Sequence, residues 1–102
     1  MAITKIDEYE IMYSANTFPP RIWLKGGGRY IGQLTFMPNA ATLPADSMNG
    51  TQAQLYYHLD DFQNMIDLLR NESPLYLLYV GSGPGNENGI KTTDEPVGEG
   101  EA

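Results

Sequence analysis

Three residues whose side chains suit nucleic-acid contact follow one another at two-residue spacing. Arg21, Trp23 and Lys25 would share one face of a strand, because successive strand side chains point to opposite faces. Arg29 and Tyr30 follow within a few positions. Basic groups bind phosphates and aromatic rings stack on bases, which together is what single-stranded nucleic acid requires. The pattern predicts a contact surface, although solvated charges around a packed Trp23 would give the same spacing.

Two further residues are candidate neighbours of this surface. Gln54 and Tyr56 lie on the polar side of a later strand, where they alternate with the apolar residues Ala53, Leu55 and Tyr57. An amide and another ring would extend a contact with nucleic acid or with a protein partner. The full predicted contact set is Arg21, Trp23, Lys25, Arg29, Tyr30, Gln54 and Tyr56.

The residues suited to catalysis do not assemble into a recognisable site. His58 is the only histidine and the chain has no cysteine, so no metal set or nucleophile-base pair is complete. Asp60 and Asp61 could act as an acid-base pair, but they stand where a helix N-cap is expected. We therefore predict no catalytic residue, no cofactor and no metal, and we interpret His58 as a surface or hydrogen-bonded histidine. An enzyme is the least favoured class.

Two glycine-rich segments have part of the composition of a phosphate-binding loop. Gly26-Gly27-Gly28 is followed by a strand-like run and not by a helix whose N-terminus could hold an anion. In the segment 81–85, Pro84 intrudes and the lysine of a P-loop is missing. Both segments are predicted to be turns, and the first is predicted to join two strands as a hairpin.

The elements that position these residues are strands and one helix. Alternating or continuous apolar residues predict strands at 9–14, 21–25, 29–37, 51–59 and 75–80. A loop is expected over 38–50, because two prolines and an Asn-Gly pair interrupt it. Apolar residues at helical spacing predict an amphipathic helix over 60–71, with Asp60 and Asp61 offering an N-cap and Gln63 as a capping-box partner.

The predicted fold class is α+β, a mainly antiparallel four- to five-stranded sheet with one amphipathic helix packed on it. We expect a single domain over residues 1–85, since a chain of 102 residues suffices for one core. The helix is expected to contact the sheet through Phe62, Met65, Ile66 and Leu69. The sheet is expected to contribute Ile22, Leu24, Leu34, Phe36, Leu55, Tyr57 and Leu59.

Charge and composition restrict the function classes. The net charge of −7 argues against strong, non-specific binding of a polyanion. Residues 87–102 contain five acidic residues and one lysine, and we predict that residues 86–102 form a disordered acidic tail. The absence of cysteine and of any long apolar run predicts a cytoplasmic protein without a membrane partner.

The stretch from Arg21 to Phe36, followed by Gln54 to Leu69, resembles a hairpin, a last strand and a helix of known proteins. These belong to the Whirly, Pur-alpha and transcriptional-coactivator group of single-stranded-DNA-binding proteins. The resemblance implies a curved antiparallel sheet backed by a helix, often dimeric, with nucleic acid on the exposed face or strand edges. The acidic charge and the run 75–80 depart from that group. The whole chain is also similar to uncharacterised small bacterial proteins, which implies no mechanism.

The apolar run from Leu75 to Val80 motivates the function that the sequence favours. An apolar strand near the end of a small domain can leave an edge that a second copy covers. We therefore expect a non-enzymatic interaction or scaffold module that forms a homodimer. The alternative is weak single-stranded nucleic-acid binding through the predicted contact set, weak because only a few cations are in reach.

Overall fold

The computed structural model describes residues 2–83 and 85–93, and within them it contains eight β-strands and one α-helix. The strands are β1 (Ala2–Ile6), β2 (Glu8–Met12), β3 (Arg21–Gly26), β4 (Arg29–Met37), β5 (Ser47–Asn49), β6 (Gln52–His58), β7 (Leu75–Tyr79) and β8 (Gly89–Thr92). The helix, α1, spans Phe62–Asn71 and follows a short 3-10 turn at Leu59–Asp61. The α+β class predicted from the sequence is confirmed.

The strands form two sheets. The larger one has the order β2-β3-β4-β6-β5 and is antiparallel except for the parallel pair β4–β6. The smaller one has the order β1-β7-β8 and is antiparallel throughout. β6 inserts between β4 and β5, although β5 precedes it in the chain. The mainly antiparallel sheet was predicted, whereas the parallel pair and the second sheet were not.

Glycines make the two tight hairpins of the larger sheet. Gly26 pairs with Arg29, and the two residues between them, Gly27 and Gly28, have φ angles of 63° and 82°. Positive φ at both central positions is the requirement of the type I′ turn that joins twisted strands. Gly50, with φ 66°, makes the second turn after β5. The hairpin prediction is confirmed, but the predicted loop 38–50 is wrong at its end, where β5 forms.

One face of the larger sheet carries the core, and we call it the inner face. Its largest fully buried side chains are Ile22, Leu24, Leu34, Phe36 and Leu55, all of them predicted, and the smaller Ala53 is buried with them. Helix α1 supplies buried Met65 and Leu69 and half-buried Phe62 and Ile66 to the same cluster. Leu75 and Leu77 of β7 also belong to this buried cluster.

Two core positions of the predicted strand 51–59 differ from expectation. Tyr57 is only half-buried, and its ring stacks on Phe36 with centroids 5.5 Å apart. Leu59 was predicted to be a core residue, but it is 38% exposed. The reason is that β6 ends at His58 and the chain turns into the 3-10 segment, so the two-residue alternation stops before Leu59.

The predicted side-chain cap of the helix is also wrong. Asp61 stands at the N-cap position, but its carboxylate makes no capping hydrogen bond. Asp60 instead binds Asn39, whose side-chain amide donates to the Asp60 carboxylate at 3.0 Å and accepts from the Asp60 N–H at 2.8 Å. Gln63 donates to Asp67, one turn further along α1. The end of the helix at Asn71 is as predicted.

The segment after residue 86 is partly ordered, so the prediction of a disordered tail is wrong for residues 89–92. These residues form β8, in which Ile90 pairs with Leu77 and packs on the core. Asn88 supports the strand, because its side chain accepts from Val80 N–H at 2.6 Å and donates to Asp46 at 3.0 Å. Residues 94–102 of the predicted tail lie outside the described residues.

Candidate functional site

The face of the larger sheet opposite the core, the outer face, holds most of the predicted contact set. Strand register places Trp23 beside Gln33 and Gln33 beside Gln54. Arg21 lies beside Thr35 in the same way. The outer face carries Glu8, Glu10 and Met12 of β2, Arg21, Trp23 and Lys25 of β3, Tyr30, Gln33 and Thr35 of β4, and Gln52, Gln54 and Tyr56 of β6. All of them are half-buried or exposed.

Trp23 is held in one orientation at the middle of this face. Its indole Nε1 donates a hydrogen bond of 2.7 Å to Oε1 of Gln33, and the Gln33 amide donates to Thr35 at 3.1 Å. The guanidinium of Arg21 lies 5.3 Å from the centroid of the Trp23 ring, within cation–π range. Nε of Arg21 is buried and has no hydrogen-bond partner among the described residues. Arg21 is therefore packed against the ring and not extended into solvent.

Tyr30 and Lys25 form a second ring-cation pair beside the edge strand β2. The Lys25 ammonium lies 5.1 Å from the Tyr30 centroid and 3.9 Å from a carboxylate oxygen of Glu8. The Tyr30 hydroxyl donates to Oε1 of Glu10 at 2.8 Å. That hydrogen bond and the charge of Glu10 raise the pKa of Tyr30 above its ordinary value. A tyrosine hydroxyl is protonated at neutral pH, so it donates this hydrogen bond there.

These two pairs border a small cavity, which we call the ring cavity. It has a volume of about 200 Å³ and is lined by Glu10, Trp23, Tyr30 and Gln52. Its wall thus combines one carboxylate, two aromatic rings and one amide. Tyr56 lies outside it and lines a separate cavity of about 350 Å³ beside the loop residues 43–46.

Arg29 does not join the other predicted contact residues. It pairs with Gly26, whereas Tyr30 pairs with Lys25, so Arg29 and Tyr30 point to opposite faces. Arg29 lines a different cavity, together with Thr4 of β1. The outer face consequently keeps two cations, which Glu8 and Glu10 balance, and it is not a basic surface.

His58 makes the hydrogen bond expected of a structural histidine. Its Nε2 lies 2.9 Å from the carbonyl oxygen of Ala41, and the ring is half-buried. Within residues 2–83 and 85–93, no group of three or more His, Cys, Asp or Glu side chains could hold a metal ion. Over the same ranges, no helix has the length and apolar character needed to cross a membrane.

Strand β2 is the most apolar open edge of the larger sheet. It pairs with β3 on one side, and no described strand pairs with it on the other. Ile11 is 42% exposed and Met12 is similarly exposed, and the chain after them contributes Tyr13, which is 66% exposed and stacks on Phe62. An edge strand presents unpaired backbone N–H and C=O groups, so apolar side chains there favour pairing with another strand.

The comparisons with known proteins give no relative for this chain. No family model matches it, and neither the curated proteins nor the solved structures include a match. The similarity to the Whirly and Pur-alpha group accordingly stays a prediction.

Sequence reasoning missed Glu10, Gln33 and Gln52, which the fold brings beside Trp23 and Tyr30. The alternation along β2 puts Glu10 on the other face of the strand from Tyr9 and Ile11, and this could be predicted from the sequence. Its position beside Trp23 depends on the register between β2 and β3, which no local pattern contains.

Proposed function

We propose that this protein is a non-enzymatic interaction module that forms a homodimer by pairing β2 with β2 of a second copy. The observation that carries the proposal is the open edge of β2 with its exposed apolar side chains. Two antiparallel β2 strands related by a two-fold axis would satisfy each other's backbone groups and cover Ile11 and Met12. The two larger sheets would then form one continuous sheet.

The strand from which the sequence predicted a dimer is not an open edge in the structure. The sequence motivated it by the apolar run Leu75 to Val80, but β7 is paired on both sides, by β1 and by β8. That run therefore offers no edge to a second copy. β2 is an edge strand that does offer one, and its exposed apolar side chains distinguish it from β5 at the other edge of the larger sheet.

Charge disfavours one register of the proposed pairing. Across a two-fold axis perpendicular to the sheet, one residue must face its own copy. Centring the pair on Glu10 would put two carboxylates opposite each other, which is unfavourable. Centring it on Ile11 puts Glu10 opposite Met12 and Tyr9 opposite Tyr13. Among the registers that keep the carboxylates apart, we propose the one in which Ile11 faces Ile11, because it covers this exposed apolar side chain with its own copy.

Sedimentation equilibrium at micromolar concentration tests the proposal. The wild-type protein should sediment as a dimer, and Ile11→Lys should sediment as a monomer, because two ammonium groups would meet at the two-fold axis. Ile3→Lys is the matched control, since Ile3 is 52% exposed on an edge strand of the other sheet. Equal thermal unfolding of the two variants would exclude a folding defect. A wild-type monomer, or dissociation by Ile3→Lys instead, would contradict the proposal.

Single-stranded nucleic-acid binding is the alternative, and the observation in its favour is that Trp23, Gln54 and Tyr56 share the outer face. Two contacts weigh against nucleic-acid binding, because Arg21 already lies over the Trp23 ring and Lys25 lies near Glu8. Binding would therefore be weak and sensitive to salt. Titration with oligo-dT at low salt, followed by Trp23 fluorescence, tests it. Saturable quenching would favour this alternative, and unchanged fluorescence would remove it.

A further inference from the structure

The ring cavity has a composition that the backbone pairing of the proposed dimer does not require, although Glu10 of its lining would lie opposite Met12 of the second copy. Its lining of Glu10, Trp23, Tyr30 and Gln52 combines two aromatic rings with a carboxylate at the rim of the outer face. Tyr30 and Glu10 are exposed, so the cavity opens to solvent. A ligand can therefore reach it without any rearrangement of the sheet.

We infer that the ring cavity binds a methylated ammonium group, as found on choline or on a methylated lysine side chain. An aromatic ring carries negative potential on its face, so it attracts a cation placed over it. Both rings already attract cations of this chain, Arg21 at 5.3 Å from Trp23 and Lys25 at 5.1 Å from Tyr30. A ligand cation would use the ring surfaces that face the cavity.

Glu10 selects the sign of the ligand charge. One of its oxygens, Oε1, accepts the Tyr30 hydroxyl at 2.8 Å, which fixes the carboxylate at the cavity wall. Its charge attracts a cation and repels a phosphate or carboxylate. Lys25 does not line the ring cavity, although it borders a neighbouring cavity together with Glu8 and Glu10.

The size of the cavity and the hydration of the ligand favour a methylated over a primary ammonium. Its volume of about 200 Å³ is smaller than that of a pocket for a drug-sized ligand, so it suits a head group or one side chain. A primary ammonium is strongly hydrated and would give up water for few hydrogen bonds. A methylated ammonium is less hydrated and presents apolar methyl groups to the two rings, which is the chemistry of aromatic cages.

Trp23, the only tryptophan, reports directly on binding. Choline should quench its fluorescence saturably at constant ionic strength. The neutral isostere, in which carbon replaces the nitrogen, should quench it much less. Glu10→Gln and Tyr30→Leu should each weaken choline binding roughly fivefold or more. Glu87→Gln removes the same charge at an exposed site outside the cavity lining and should leave binding unchanged.

Four further measurements test the inference. Lys25→Met should tighten choline binding, because it removes a competing cation from Tyr30. Equal binding of choline and its neutral isostere would overturn the inference and identify an unselective apolar cavity. Quenching by oligo-dT and not by choline would overturn it in favour of nucleic acid. The same titration of Ile11→Lys should give the wild-type result, so failure of the dimer and failure of the cation site are distinguishable.

Discussion

The two faces of the larger sheet belong to the same strands but differ in what holds their side chains. On the inner face of β3, Ile22 and Leu24 are completely buried against the helix and the second sheet. On the outer face, Arg21, Trp23 and Lys25 are half-buried and held by single hydrogen bonds and ring-cation contacts. Contacts of the second kind can be exchanged for contacts with a ligand. Core residues and the residues of the proposed binding surface thus alternate along one strand.

The largest expected effect comes from a matched pair of substitutions on β3. Leu24→Ala should lower the free energy of unfolding by about 2–5 kcal/mol, because it leaves a cavity in the core. Lys25→Ala, at the next position on the outer face, should lower it by less than about 1 kcal/mol. Chemical denaturation measures both. A similar loss of unfolding free energy in the two variants would show that the two faces do not differ in their contribution to stability.

Tyr57 places an ionisable hydroxyl on the inner face, so the two faces should also differ in their response to pH. Burial, with smaller contributions from Asp46 and Asp61, raises the pKa of Tyr57 from 10.0 to about 12. The unfolded chain therefore loses this proton first, so stability is full below pH 10 and falls as the pH rises towards 12. The loss should be roughly 2–3 kcal/mol.

Unfolding measured between neutral pH and pH 12 checks this dependence. Tyr57→Phe should be markedly less sensitive to alkaline pH than the wild-type protein. Tyr56 is the neighbouring residue on the outer face, and Tyr56→Phe should lose stability with rising pH as the wild type does. If Tyr57→Phe lost stability as steeply as Tyr56→Phe, the assigned cause would be wrong.

A smaller effect is expected at the hydrogen bond that orients Trp23. Gln33→Ala removes the acceptor of the indole N–H and should cost about 1 kcal/mol. The released ring should also change its fluorescence emission, which gives a second measurement on the same variant. Gln54→Ala, an amide on the adjacent strand, should change both quantities less. Larger changes for Gln54→Ala would show that the outer face is organised differently.

The sequence predicted those strands, turns and helices whose own residues show a clear local pattern. The alternation around Leu55, the glycines of the β3–β4 hairpin and the apolar stripe of α1 each depend on neighbouring residues only. β5 and β8 have three and four residues and gain their stability from the strands they pair with. Their own sequences therefore contain too few apolar residues to predict them.

The candidate site was predictable only in part for the same reason. The shared face of Arg21, Trp23 and Lys25 follows from the period of a single strand. The opposite placement of Arg29 depends on how the hairpin pairs, and the place of Glu10 depends on the register of β2 on β3. The parallel pairing of β4 with β6 likewise joins residues far apart in sequence. Such pairings are decided by the packing of the whole chain.

The proposed pairing of β2 with its own copy about Ile11 can be tested by disulfide formation, because the chain has no cysteine of its own. Directly opposed residues of antiparallel strands have Cα atoms about 4.5–5.5 Å apart, within the span of a disulfide. Mild oxidation of an Ile11→Cys variant should give a covalent dimer, whereas Ile3→Cys, equally accessible on β1, should remain largely monomeric. Covalent dimers from Ile3→Cys as fast as from Ile11→Cys, or none from Ile11→Cys, would contradict the account.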